Sequence, residues 1–350
     1  MTSKFAVIAD LHIRGSDLKA TGDALLIVEH ELKKRKVDTL FIAGDVFDKA
    51  TIGDSGYPAP TVGKLFNDFL SVVRYNRTDV VVINGNHDFA GPGRTSAIEL
   101  FNRDIILHTE VSCSTIKGLN YIPIPWRWGE AMEPQYKTIM SFIEEQKPSL
   151  IVGHCNIQNQ AYRPGKFHEQ KDDFKCSWEM SEKFARELKK LCPVVRFGHY
   201  HKRSEFFVGG IREMNFGEEG NPCGMEVYSE TPSGFDMEYV SWESPVKHKT
   251  FRYKNPSKFP VISELDFDKV RVVCDGWKPN PFEKEEFIRS GGVVEVQNFD
   301  DEAKRVIVPV MTDKAKDASP REMIQIWHES KGGQLSVDLN ALQKEFDRCN

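Results

Sequence analysis

Residues 79–88 read DVVVINGNHD, and this stretch decides the fold. Val80, Val81, Val82 and Ile83 form a short apolar run rich in β-branched side chains, the mark of a strand buried on both faces. The run stops at Asn84 and Gly85, and Asn86, His87 and Asp88 follow as a cluster of polar donor groups. The same grammar recurs over the first two hundred residues. KFAVIAD (4–10) leads into Leu11 and His12, and DTLFIAGD (38–45) ends in Asp45. SLIVGH (149–154) ends in His154, and PVVRFGHYH (193–201) ends in His199, Tyr200 and His201.

Amphipathic segments separate these runs. Residues 16–36 carry Leu18, Leu25, Leu26, Val28 and Leu32 at helical spacing, with Ser16 as the expected cap and a basic last turn that suits the helix dipole. Residues 60–76, 135–146 and 177–191 read as further helices, the last opened by Ser177. Short strands separated by helices predict a largely parallel sheet covered on both faces. Residues 105–125 read instead as a hairpin, and 204–254 as a strand-rich, turn-punctuated stretch. A parallel sheet stacked on these later antiparallel strands, with helices outside, predicts a four-layer α/β/β/α sandwich over 1–254. Past Lys254-Asn255-Pro256, a β-α-β pattern predicts a small α+β capping domain over 255–312. A charged linker and two amphipathic helices are expected over 313–350, and the helices suit docking on a partner or packing on their own domain alike.

Composition removes several classes. At 350 residues, 40% hydrophobic and a net charge of −5, the chain is neither disordered nor strongly basic. No apolar run approaches the ~18 residues of a membrane span, and FAVIA (5–9) is too short for a secretory signal. Seven scattered cysteines without a C-x-x-C pair argue against a disulfide framework and suit a reducing, cytoplasmic compartment. No phosphate-cradling G-x-x-x-x-G-K-[ST] occurs, so the chain is not expected to bind ATP by that device.

In open α/β sheets, ligands gather at the carboxyl ends of strands. Here five strand ends deliver Asp10, His12, Asp45, Asn86, His87, Asp88, His154, His199 and His201 toward one edge. Asp10 and His12, like His199 and His201, are separated by one residue, so on extended backbone each pair shares a face. Two Asp, one Asn and four His, with His87 left over, exceed what one metal takes and suit two ions sharing a carboxylate. Imidazole and carboxylate without thiolate point to Mn²⁺, Fe²⁺ or Zn²⁺.

The pattern D-x-H, G-D-x-x-D, G-N-H-D, G-H, G-H-x-H over residues 10–201 resembles the calcineurin-like binuclear metallophosphoesterase superfamily. Within it, Gly-Asp-Val-Phe-Asp (44–48), Gly-Asn-His-Asp (85–88), the IPIPW segment (122–126) and Gly-His-Tyr-His (198–201) resemble the SbcD-like DNA-repair nucleases, the phage type above all. The resemblance implies that Asp10, His12 and His201 hold one metal and Asn86, His154 and His199 the other, with Asp45 bridging. It implies that His87 acts as general acid, oriented by Asp48 or Asp88; some relatives carry a second histidine at position 48. It further implies two divalent ions with Mn²⁺ expected, DNA as substrate, an SMC-like (SbcC-like) ATPase partner and a homodimer. The site of action would be the cytoplasm or nucleoid of a bacterium or a phage-infected host.

Other features carry two readings each. The polar stretch 156–176, with Arg163, Lys166 and Lys171, either grips DNA phosphates or is a solvated loop. Trp126-Arg127-Trp128 is either a substrate wedge or an aromatic core cluster. His30, His108, His168, His248 and His328 belong to no motif and read as packing or surface histidines. Three functions compete: a DNA nuclease subunit, a stand-alone phosphodiesterase or phosphatase for small nucleotides, and a non-catalytic scaffold of a DNA-processing complex. The long C-terminal tail favours the first, and the complete donor set weighs against the last.

Overall fold

A computed structural model describes residues 3–49, 60–90, 96–159, 178–254, 260, 262, 265 and 267–297. In chain order the elements begin β1 (Lys4–Ile8), α1 (Leu18–Arg35), β2 (Thr39–Ile42), α2 (Pro60–Tyr75), β3 (Asp79–Ile83) and β4 (Ile106–His108). Next come β5 (Ser114–Ile116), β6 (Leu119–Ile124), α3 (Gln135–Gln146), β7 (Leu150–His154), β8 (Asn156–Ile157), β9 (Glu179–Met180), α4 (Glu182–Leu191) and β10 (Val194–Gly198). The last are β11 (Cys223–Thr231), β12 (Gly234–Trp242), β13 (His248–Tyr253), β14 (Lys269–Asp275), α5 (Pro281–Arg289) and β15 (Val293–Gln297).

Two sheets face each other. The first runs β12-β11-β1-β2-β3-β4, with β1 to β4 parallel and β11 antiparallel to β1. The second runs β10-β7-β6-β5, with β10, β7 and β6 parallel and β5 paired to β6 as a hairpin. The expectation that the late antiparallel strands would build the second sheet is therefore corrected. The middle of the chain builds it, and β11 and β12 extend the edge of the first. The reason lies in burial: β7 and β10 are buried throughout, as partners in a helix-covered parallel sheet must be.

Strand alternation makes three cores out of two sheets. Ala6, Ile8, Leu40, Ile42, Val80 and Val82 face α1 and α2, meeting Leu25, Val28, Phe66 and Phe69. Their chain neighbours Phe5, Val7, Phe41, Val81 and Ile83 face the second sheet and meet Tyr121, Leu150, Val152 and Val194. Ile122, Ile124, Ile151, Val195 and Phe197 turn outward onto Ile139 of α3 and Phe184 and Leu188 of α4. This is the α/β/β/α sandwich, and each fully buried large side chain contributes roughly 1.5–3 kcal/mol. Polar contacts also cross the central layer, among them a buried ion pair. Arg196 on β10 makes a two-pronged ion pair with Glu226 on β11, both buried, and the Tyr228 hydroxyl donates to the same carboxylate at 2.7 Å.

Helix limits match the sequence reading except at starts. α3 begins and ends as expected. α1 starts at Leu18, after a short 3-10 turn, and Ser16 makes no cap. α4 starts at Glu182 rather than at Ser177, and its cap is Ser181, whose side chain accepts from the Phe184 amide at 3.2 Å. Residues 179–180 are spent on a β-bridge to Asn156 and Ile157, which delays the helix.

Backbone packing divides the chain into two units, the larger comprising Met1–Arg252, Ser257–Val273 and Asn280–Glu295. A third small sheet runs β13-β14-β15, and α5 between β14 and β15 fulfils the β-α-β reading. α5 opens on Asn280, whose side chain accepts from the Phe282 amide at 2.9 Å, with Pro281 at its first position. In the smaller unit, the Trp277 indole donates to the Tyr253 carbonyl at 2.9 Å. The helices expected over 313–350, and Arg163, Lys166 and Lys171, lie outside the described residues. Among the described residues no helix is long and apolar enough to cross a membrane, and the described cysteines are free.

Candidate metal centre

The carboxyl ends of β1, β2, β3, β7 and β10 meet at one edge of the sandwich, so both sheets contribute. Two clusters form there, Asp10, His12 and His201, and Asp45, His154 and His199, and a third group of His12, Asp45 and His87 straddles them. In each, one donor atom per residue lies within 4.8 Å of the others. Asn86 completes the second cluster, its Oδ1 lying 2.9 Å from His154 Nε2 and 2.9 Å from His199 Nδ1.

Asp45 joins the two. Its Oδ1 accepts the His87 amide at 2.8 Å. Its Oδ2 stands 3.4 Å from His12 Nε2 and 3.3 Å from His154 Nε2, between the clusters. Asp45 thus has ring nitrogens of both clusters beside it, and would be the residue common to two ions.

The backbone that aims these groups is not extended, which corrects the alternation argument. Asp10, His12, Asp45 and His199 have φ of 56°, 41°, 54° and 100°. Left-handed backbone costs a non-glycine residue about 1–3 kcal/mol, and such strain concentrates at functional sites. Cross-bonds hold it: the Asp10 amide donates to the Gly44 carbonyl at 3.1 Å, the His12 amide to the Asp45 carbonyl at 2.9 Å, and the His199 amide to Asp10 Oδ1 at 3.0 Å. Two glycines make room. Gly44 has φ +88°, and a Cβ there would overlap the His154 ring. A Cβ on Gly85 would overlap the Asp45 amide and carboxylate, so its role is space rather than φ.

Each ring is oriented by a partner. His154 Nδ1 donates to the Ala43 carbonyl at 2.8 Å, which leaves Nε2 facing Asp45 and Asn86. His201 Nδ1 bonds Glu218 Oε1 at 2.8 Å, and its Nε2 stands 3.2 Å from His12 Nε2. His12 Nδ1 lies 3.5 Å from the Asp48 carboxylate. His199 packs its ring against Trp126, with centroids 5.1 Å apart.

Two expected roles change in detail. His87 Nδ1 donates to the backbone carbonyl of Asp48 at 2.8 Å, not to its carboxylate or to Asp88. The Asp88 carboxylate is buried and accepts the amides of Val46, Phe47 and Gly85, so it ties the β2 and β3 loops together. Trp126 is buried, as the core reading expected, whereas Trp128 is 46% exposed. Sequence reasoning missed Glu218. It lies seventeen residues past His201 in a segment without motif, and it also accepts the Met214 amide at 2.9 Å.

The protonation balance reflects a dense donor set. Burial alone would push the Asp45 carboxyl up, yet the contact with His154 and His12 holds it well below the usual carboxylate range. Burial opposes a charge on His154, but facing Asp45 raises it to about 9. Burial and the neighbouring His154 push His199 down to about 3, and burial pushes Asp88 up to about 6. Asp45 Oδ2, Asn86 Oδ1 and the inward ring nitrogens converge, an arrangement that a cation in each cluster satisfies once it displaces the proton from His154 Nε2. Orienting carboxylates and carbonyls behind the rings are those expected of metal-bound histidines.

The calcineurin-like phosphoesterase family model matches residues 3–203, and the chain belongs to that family of dimetal-dependent hydrolases. No curated protein matches its sequence. Solved structures that resemble it include a dimetal phosphatase from Danio rerio, 12% identical over 70% of this chain and 97% of that one, with a TM-score of 0.43. Another is GAP50, the anchor in the inner membrane complex of Plasmodium, 14% identical over 69% of this chain and 84% of that one, also at 0.43.

Proposed function

We propose that the chain is the nuclease subunit of a DNA recombination or repair machine, hydrolysing phosphodiesters at duplex ends and cutting single strands internally. The observation that carries the reading is Asp45 Oδ2 between the two clusters with His87 alongside, its ring 4.7 Å from that of His12. DNA as target is supported by the GDVFD, GNHD, IPIPW and GHYH segments, which resemble the SbcD-like nucleases.

Asp10, His12 and His201 would hold one ion, and Asn86, His154 and His199 the other, with Asp45 common to both. When bound, a pair of divalent cations neutralises the phosphodiester and lowers the pKa of an attacking water. The donor set, free of thiolate, suits Mn²⁺, Fe²⁺ or Zn²⁺, and the resemblance to the SbcD-like nucleases favours Mn²⁺ among them. The chain's own groups do the rest. His87 spends Nδ1–H on the Asp48 carbonyl and therefore presents Nε2 to the substrate. Protonated there, it delivers a proton to the leaving 3′-oxygen. Asp48 and Glu218 keep His12 and His201 turned inward. An SMC-like ATPase docked on 313–350, a second copy of the chain, and phosphate contacts from Arg163, Lys166 and Lys171 complete the proposal. It places the complex in the cytoplasm or nucleoid of a bacterium or a phage-infected host.

The test is incubation of the purified protein and Mn²⁺ with end-labelled linear duplex, circular single strands and a cyclic nucleotide. Release of nucleotides from duplex ends and nicking of circles is expected. Cleavage of the cyclic nucleotide alone would leave a phosphodiesterase and remove DNA.

A further inference from the structure

Trp128 is the one tryptophan among the described residues with a largely exposed side chain, at 46%. It stands on the loop that follows β6, at the same edge as the metal centre. Its support is a buried ring. Trp128 packs edge-on against Trp126 at 6.1 Å, and Trp126, 2% exposed, lies tilted by 31° on His199 at 5.1 Å. Two successive ring contacts therefore link an exposed indole to a candidate metal ligand.

The charge between them is already used. Arg127 pairs with Glu130 at 2.8 Å, so this loop offers a ring rather than a free cation. An exposed indole packed on a buried ring has less freedom to lose than one standing alone, which lowers the cost of binding a flat ligand. Nucleobases stack on such rings irrespective of sequence.

We propose that Trp128 is a nucleobase-stacking subsite that receives a base flanking the phosphate held at the metal centre. The inference rests on the nuclease reading and adds a specificity element to it. The indole lies no further from the His199 ring than the two contacts end to end. At roughly 3.4 Å per nucleotide in a stacked duplex, and more in an extended strand, the stacked base belongs to one of at most about three nucleotides beside the scissile phosphate. Trp126 supports the platform and touches the ligand; Trp128 touches the substrate and leaves the metal ligands untouched.

The experiment compares wild type, Trp128→Ala and Trp128→Phe, with Mn²⁺, on short single-stranded oligonucleotides. One series is intact, and the other carries an abasic residue at each of the first three positions from the cut. For intact strands KM should rise about tenfold in Trp128→Ala with kcat little changed, and Trp128→Phe should recover most of the loss. At one abasic position wild type and Trp128→Ala should become equal. An equal KM rise on intact strands and on all abasic strands would overturn the stacking role, as would no change on any. A wild type that cuts no oligonucleotide would overturn the nuclease reading and this inference with it, a pattern distinct from cutting without base dependence. A free nucleoside monophosphate as competitor separates the two sources of a base. Inhibition weakened by Trp128→Ala supports the subsite for free nucleotides as well. Inhibition that the variant leaves unchanged assigns the subsite to polynucleotides.

Discussion

The two clusters of the metal centre are held in different ways. Around Asp10, His12 and His201, the rings turn Nδ1 toward side-chain carboxylates, Asp48 at 3.5 Å and Glu218 at 2.8 Å. Around Asp45, His154 and His199, one ring is fixed by the Ala43 backbone carbonyl and the other by packing on Trp126. A carboxylate makes an imidazole a stronger donor and can be lost by mutation; a strand carbonyl is neutral and cannot. The first cluster is therefore tunable, and the second is set by the sheet itself.

Removing what they share should erase the difference. Asp45→Asn is expected to lower hydrolysis of bis-p-nitrophenyl phosphate by about 10⁴-fold, the rate worth of several kcal/mol of charge stabilisation. Metal analysis should show both ions weakened; full stoichiometry and rate would mean that the clusters are independent. His87→Asn tests the group that stands beside both, its ring against His12 and its amide on Asp45. Its kcat should fall by about 10³-fold while titration of Mn²⁺ stays as in wild type.

Glu218→Gln sharpens the contrast most directly. Calorimetric titration should show one ion bound about 10- to 100-fold more weakly and the other unchanged. Equal weakening of both would show that Glu218 does not act through His201 alone. The smallest effect is expected from Trp126→Phe, which keeps a ring beside His199. Ion binding should change by less than about threefold, and a larger loss would mean that the second cluster leans on the indole rather than on the sheet.

Much of this was legible in sequence because it is written locally. Val80 to Ile83 followed by Asn86 and His87 states both strand and strand-end chemistry within ten residues. The parallel β1-β2-β3 order and the gathering of Asp10, Asp45, His154 and His199 follow from that grammar. The orienting partners are another matter. The Ala43 and Asp48 carbonyls carry no sequence signal, since every residue has one. Glu218 reaches His201 only after a tight turn capped by Asn215, whose side chain accepts from the Gly217 amide at 2.7 Å. The left-handed backbone at Asp10, His12 and Asp45 was also hidden, because nothing in those side chains asks for it. The second sheet was assigned to the wrong strands for a related reason: β11 alternates weakly, and its pairing with β1 is decided by contacts more than two hundred residues apart.

The clasp between Arg196 and Glu226 has a consequence for this whole arrangement. Interdigitated side chains in the central layer resist sliding of one sheet over the other, but their attraction has no direction of its own. A small displacement in the plane would pull β7 and β10 out of line with β1, β2 and β3. The guanidinium and carboxylate, locked two-pronged in the dry layer, act as an alignment pin against that shear. Precision at the rim is thus guarded from deep inside, by a pair of charges that never meets the substrate.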